Sequence, residues 1–225
     1  MKRNIIKPSI LPGFMELLPK EQQIFNDIVS KITRVYEDNG CLAIDTPIIE
    51  KSEVLLAKSG GETEKQVYSF QKGKNNLALR FDLTVPFARY VAQYYNDLVF
   101  PFKRYQIGKV YRGERNQKGR YREFYQCDID VIGKGKLSID NDAWVISLAS
   151  KAFKAIGLTN YKFQISNRKI LKGVLSELKI ENVNEVMILI DKYDKIEKEV
   201  FTIELEKLIG NEKSEYLNNI LDTNG

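Results

Sequence analysis

The chain has 225 residues, 43% apolar and 29% charged, with a formal net charge of +5 and a pI near 9.0. This is an ordinary globular composition, enough for one large or two small domains, and the mild basic excess is compatible with RNA contact without requiring it. There is no histidine, which excludes Ser-His and Cys-His nucleophilic mechanisms, and no apolar stretch reaches signal-peptide or membrane-span length, so a cytoplasmic location is expected.

Residues 11–19 form an entry segment punctuated by proline and glycine. Over residues 20–39, Ile24, Phe25, Ile28, Val29, Ile32, Val35 and Tyr36 fall on one helical stripe, and Asn39-Gly40 closes the helix with a pair tolerant of positive φ. Residues 41–49 read as a strand in which Pro47 removes a ladder donor, which points to an edge or an interface. Ser59-Gly60-Gly61-Glu62 is a flexible loop before residues 67–70. A second strand at 77–81 puts Ala78, Arg80 and Asp82 on one side. Thr84 can then cap a helix through Phe87, Tyr90, Val91 and Tyr94, with Pro86 in its first turn; Asp82 reads equally as a neighbouring cap or an ion-pair partner.

The most informative stretch is 103–133, KRYQIGKVYRGERNQKGRYREFYQCDIDVIG. It reads as two strands joined by a polar loop. On the first, Arg104, Gln106, Gly108, Val110 and Arg112 alternate with Tyr105, Ile107, Lys109 and Tyr111; on the second, Phe124, Gln126, Asp128 and Asp130 alternate with Tyr125, Cys127, Ile129 and Val131. The loop at 113–122 has no aliphatic residue and cannot sit in a core. One hairpin face thus carries a guanidinium, an aromatic ring, an amide and two carboxylates. That set suits a ligand with a phosphate, a planar ring and a cationic group, although an alternating polar face can also simply meet water. Cys41 and Cys127 both lie in predicted strands, so reduced, buried thiols are expected, and no metal-ligand spacing is present.

Beyond the hairpin, Ser138 or Asp140 can cap a helix bearing Val145, Leu148, Ala149, Ala152 and Ile156 and ending at Gly157. Residues 161–165 read as a strand, and the chain from there on is Lys- and Glu-rich and helical in period. The expected division is a core at 1–165 and a helical continuation at 166–225, with an α+β fold built on an antiparallel sheet flanked by helices.

The run YRGERNQKGRYREF resembles motif 2 of the class II aminoacyl-tRNA synthetases, and the continuation YQCDIDVIG is similar to histidyl-tRNA synthetase. The helix and proline-bearing strand at 20–49 resemble motif 1, through which these enzymes dimerise, and SGGETEKQVYSF, RFDLTVPFARY and DKYDKI also resemble that family. No second arginine-rich strand resembling motif 3 follows, nor an anticodon-binding domain, so the chain reads as an N-terminal catalytic fragment of a longer enzyme. Trp144 stands where the family usually carries an acidic residue.

The resemblance implies activation of L-histidine with ATP and Mg²⁺, transfer to the acceptor end of tRNA(His), and a homodimer. Arg112 and Gln126 would be catalytic. Arg112, Glu114, Arg120 and Phe124 would hold ATP, and Asp82, Leu83, Thr84, Arg112, Gln126 and Asp130 would hold histidine, with Asp130 accepting from the imidazole or, failing that, standing as a surface carboxylate. The histidine-sensing regulatory paralogue of ATP phosphoribosyltransferase is the alternative; retention of Arg112, Glu114 and Phe124 argues against it, because a sensor need not grip ATP.

Overall fold

The computed structural model describes residues 7–57, 62–114, 119–165 and 167–223, without the side chains of residues 62 and 63. The chain divides into two units, Met1–Tyr161 and Lys162–Gly225.

In the first unit, helix α1 (Pro19–Asp38) opens on a proline, which has no N–H to leave unsatisfied. The Glu21 carboxylate accepts the Leu18 N–H at 3.0 Å, closing the helix start from the side chain. The expected strand at 41–49 is instead two short ones, β1 (Leu42–Ala43) and β2 (Ile49–Lys51). Pro47 cannot donate to a ladder, and the residues before it are engaged by side chains: Gln106 Nε2 donates to Asp45 Oδ1 at 2.9 Å and to Thr46 Oγ1 at 3.2 Å, and Arg80 donates to the Thr46 carbonyl.

Helices α2 (Ser52–Leu55) and α3 (Glu62–Gln66) follow, and the loop expected at 59–62 lies for the most part outside the described residues. Strands β3 (Ser69–Lys72) and β4 (Asn75–Leu79) pair antiparallel across a turn at Gly73. Helix α4 (Thr84–Gln93) starts at Thr84 itself, so this threonine is inside the helix and does not cap it; the Asp82 carboxylate accepts the Val85 N–H at 2.9 Å in that role. The hairpin is β5 (Phe102–Tyr111) and β6 (Glu123–Ile132), and α5 (Asp140–Ala155) follows. At the start of α5 the Ser138 hydroxyl accepts the Asp140 N–H at 3.3 Å.

The strands form two sheets, ordered β1-β5-β6 and β2-β4-β3. The second is antiparallel; in the first, β5 and β6 are antiparallel and the short β1 lies parallel to β5. Arg80 stitches the two together, its N–H donating to Ile48 O and its carbonyl accepting from Tyr111 N, both at 2.9 Å.

One face of the hairpin packs on helices. Tyr105, Ile107 and Ile129 join Tyr36 of α1 and Leu148 and Ala152 of α5 in a core cluster, with the Tyr36 and Tyr105 rings 5.6 Å apart and Phe25 and Tyr125 4.7 Å apart. Trp144 belongs to this cluster and takes the Lys103 ammonium over its ring at 4.3 Å. Cys41 is buried as expected, but Cys127 is exposed, because β6 is the outer strand of its sheet. Residues 161–165 carry no strand: the Tyr161 hydroxyl meets Ser150 Oγ at 2.7 Å and its ring meets Phe153 edge-on, which ties Tyr161 to α5.

The second unit is helical, with α6 (Arg168–Glu177), α7 (Val183–Ile190), a 3-10 turn (Tyr193–Lys195), α8 (Lys198–Ile209) and α9 (Asn211–Leu221). Asn167 caps α6 by accepting the Lys169 N–H at 2.9 Å. Leu175, Val186, Phe201, Leu205 and Leu217 are fully buried, each contributing about 1.5–3 kcal/mol of apolar burial. Among the described residues no helix is long and apolar enough to cross a membrane.

Candidate functional site

The register of the hairpin decides which side chains meet. Arg104 lies opposite Asp130, Gln106 opposite Asp128, Gly108 opposite Gln126 and Val110 opposite Phe124. Phe124, Gln126, Asp128 and Asp130 therefore share one face, as the alternation predicts. The β5 half of that face is closed, with Arg104, Gln106 and Val110 at 0%, 1% and 0% exposure. It is covered from α4 by the Phe87 ring, 4.2 Å from the Arg104 guanidinium, and by the side chains of Leu83 and Arg80. Gly108 permits this cover, because a Cβ there would stand 2.5 Å from Arg80 Nη2. The face opens along β6, where Phe124, Gln126, Asp128 and Asp130 are half-buried. From Phe124 to Asp130 is about 20 Å of strand, room for a nucleotide at one end and an amino acid at the other.

At the first end, Arg112 Nε donates to Phe81 O at 3.0 Å, and its guanidinium lies 5.2 Å from the Phe124 ring centroid. Glu114 faces Arg120 at 3.4 Å, and the Glu114 carbonyl accepts from Arg122 Nε at 3.1 Å; loop residues 115–118 lie outside the described residues.

At the other end, Arg104 contacts the Asp130 carboxylate as an ion pair by distance, with poor alignment for a hydrogen bond. Burial pushes the Asp82 carboxyl up from its usual range, against the pull of the Val85 N–H and of Arg112. Burial also raises Asp128, opposed by Arg104 and reinforced by Asp130 and Asp82. Burial lowers the Arg104 guanidinium, opposed by Asp130 and Asp128. Asp82, Asp128 and Asp130 thus share a field with Arg104 and Arg112. The Gln126 Oε1 atom is buried with no hydrogen-bond partner among the described residues, an acceptor facing no donor.

The structure therefore brings Asp82, Arg112, Phe124, Gln126 and Asp130 to one open face, with Glu114 and Arg120 paired at its loop end. It does not give Leu83 a ligand-facing side chain, since that residue is 0% exposed. Thr84 is exposed and lines a cavity of about 820 Å³ between α2 and α4, together with Val54, Leu55, Phe81, Val85 and Ala88. Sequence reasoning gives Arg104 no role and counts Asp128 only as one of the two carboxylates on the hairpin face. Their alternation was a usable signal, but the burial of Arg104 against Phe87 is a long-range fact that local pattern does not carry.

The family model described as histidyl-tRNA synthetase matches residues 13–225. The chain is 70% identical over 222 residues to the histidine–tRNA ligase of Clostridium acetobutylicum, which covers 99% of this chain and 52% of that protein. A crystal structure of histidyl-tRNA synthetase from Nostoc sp. PCC 7120 superposes with a TM-score of 0.86 at 37% identity, over 98% of this chain and 50% of that one. A Bacillus halodurans structure described as an ATP phosphoribosyltransferase regulatory subunit/histidyl-tRNA synthetase gives a TM-score of 0.81 at 24% identity, over 96% of this chain and 57% of that one, a likeness of fold alone. The chain spans about half the length of the curated relatives it matches.

Proposed function

Since the chain belongs to the histidyl-tRNA synthetase family, we propose that it serves a histidine–tRNA ligase, activating L-histidine with ATP and passing the histidyl group to the acceptor end of tRNA(His). The observation that carries this reading is the hairpin face itself. An arginine beside an aromatic ring at one end, and an unpartnered amide oxygen among carboxylates at the other, match a nucleotide next to an amino acid.

In the first step the histidine carboxylate attacks the α-phosphorus of ATP and pyrophosphate leaves. The nucleophile is already ionised near neutral pH, so no general base is required and the lack of histidine in the chain is no obstacle. The protein supplies alignment and charge neutralisation. Arg112, fixed through the Phe81 carbonyl, grips the α-phosphate and the substrate carboxylate; Phe124 stacks on adenine, Glu114 takes its amino group, and Arg120 reaches the distal phosphates. Asp82 and Gln126 receive the ammonium, and Asp130 accepts the imidazole N–H, the contact by which histidine is told from other amino acids.

Among the described residues no three His, Cys, Asp or Glu side chains group as a metal site. Mg²⁺ is therefore proposed only as an ion carried on the ATP phosphates, and none of these roles depends on it. Exposed Leu18 at the N-cap of α1, Ile24 on α1 and Leu42 on β1 support homodimerisation through that region, and a cytoplasmic location goes with a tRNA substrate.

The test is histidine-dependent ATP–pyrophosphate exchange by the chain in a protein of full family length. Arg112→Ala lowers exchange by on the order of 10²–10³, the cost of losing a charge-stabilising donor. Unchanged exchange in that variant refutes the phosphate role. A histidine sensor of the regulatory kind would bind histidine and show no exchange in the parent protein.

A further inference from the structure

Arg104 has no part in the reaction proposed above, yet it is the largest fully buried polar side chain on the site's face, at 0% exposure. Among the described residues its guanidinium nitrogens complete no aligned hydrogen bond. A bare buried guanidinium is costly, so its compensation is the field of Asp130 and Asp128 and the Phe87 ring at 4.2 Å. Phe87 lies one turn into α4, the helix that begins at Thr84, just after Asp82. Arg104 is thus clamped between the start of α4 and the strand that carries Asp130.

The Asp130 carboxylate is asymmetric in this setting. Its Oδ2 is buried against Arg104 Nη2, while the side chain as a whole remains 32% exposed, so its accessible part lies away from the guanidinium. A carboxylate held on one oxygen by a cation on the adjacent strand is restricted in rotation, and it presents the other oxygen toward the open side of the face.

We infer that Arg104 is a positioning residue for amino-acid discrimination: from the neighbouring strand, on the covered half of the same sheet face, it holds one oxygen of Asp130 so that the other takes the imidazole N–H, and it does not itself touch substrate. This rests on the function proposed above, and it adds a residue that no substrate contact would reveal. The competing account is a buried ion pair that only holds β5 to β6.

The experiment uses the chain in a protein of full family length and measures pyrophosphate exchange with histidine and with β-(2-thienyl)alanine, whose five-membered ring has no N–H. Arg104→Met keeps the apolar contact with Phe87 and removes the charge. It raises KM for histidine by about 10- to 100-fold, the factor that goes with one charged hydrogen bond, leaves KM for ATP unchanged and narrows the preference for histidine over the analogue by a similar factor. Arg104→Lys, which keeps the charge without the planar fork, recovers part of the preference. Parallel rises in both KM values, or an unaltered preference, overturn the positioning role. If Arg104→Met does not fold, Arg104→Lys decides: a selective rise in KM for histidine supports the role, and no change or a parallel change sinks it. Lack of histidine-dependent exchange in the parent protein overturns the proposed function, and with it this inference, before any variant is compared.

Discussion

Gly108→Ala tests whether the site is built on a close approach between Arg80 and β5. The new Cβ would stand 2.5 Å from Arg80 Nη2, about 1 Å short of the 3.4 Å at which ordinary contact begins. Arg80 has little room to retreat: it is 2% exposed, its Nε donates to Lys109 O at 2.8 Å and its Nη1 donates to the Thr46 carbonyl. A shift of that size breaks at least one charged hydrogen bond, about 1.5–3 kcal/mol, with strain of about 1–3 kcal/mol from overpacking. The lower chain entropy of alanine offsets about 0.5–1 kcal/mol. The expected loss is therefore about 1.5–5.5 kcal/mol, a large share of the roughly 5–15 kcal/mol that holds a domain folded. Urea denaturation followed by fluorescence of Trp144, the single tryptophan, reads the first unit directly. The cycle is completed with Arg80→Met, whose side chain can bend away from the new methyl. If Gly108→Ala costs as much in the Arg80→Met background as in the parent, the clash with Arg80 is not its cause and the reasoning fails.

Asp128→Asn should raise stability at pH 7. Burial lifts the Asp128 carboxyl above its unfolded value, so the native state loses stability as pH rises through the unfolded carboxylate range near 4 and up to the folded one; the amide removes that loss. The advantage should vanish below about pH 3.5, where both side chains are neutral, and an Asn variant less stable than the parent at pH 7 would show that Arg104 needs both carboxylates. In the second unit, Phe201→Ala empties a fully buried position whose ring meets Tyr193 edge-on at 4.9 Å, and should cost about 3–5 kcal/mol in chemical denaturation followed by far-ultraviolet dichroism. A loss under 1 kcal/mol would mean that this core relaxes around the hole.

The hairpin was legible in the sequence because its information is local. Period-two alternation over 104–112 and 124–131 sorts side chains by face whatever the rest of the chain does, and the observed register pairs those faces accordingly. Helix α1 was legible for the same reason, as a stripe at helical spacing ended by a positive-φ glycine at Gly40. The break of residues 41–49 into β1 and β2, the exposure of Cys127 and the absence of a strand at 161–165 were not, since each depends on which partner from elsewhere occupies the available donors, rings and edges.

By itself, then, the sequence determined the chemistry available to the face, down to which residue types alternate with which. Only the tertiary structure decided which half of that face is open: packing α4 and Arg80 over β5 buries Arg104, Gln106 and Val110 and leaves β6 to meet a ligand. Alternation is set by the backbone of one strand, whereas burial is set by what a distant segment lays on top of it.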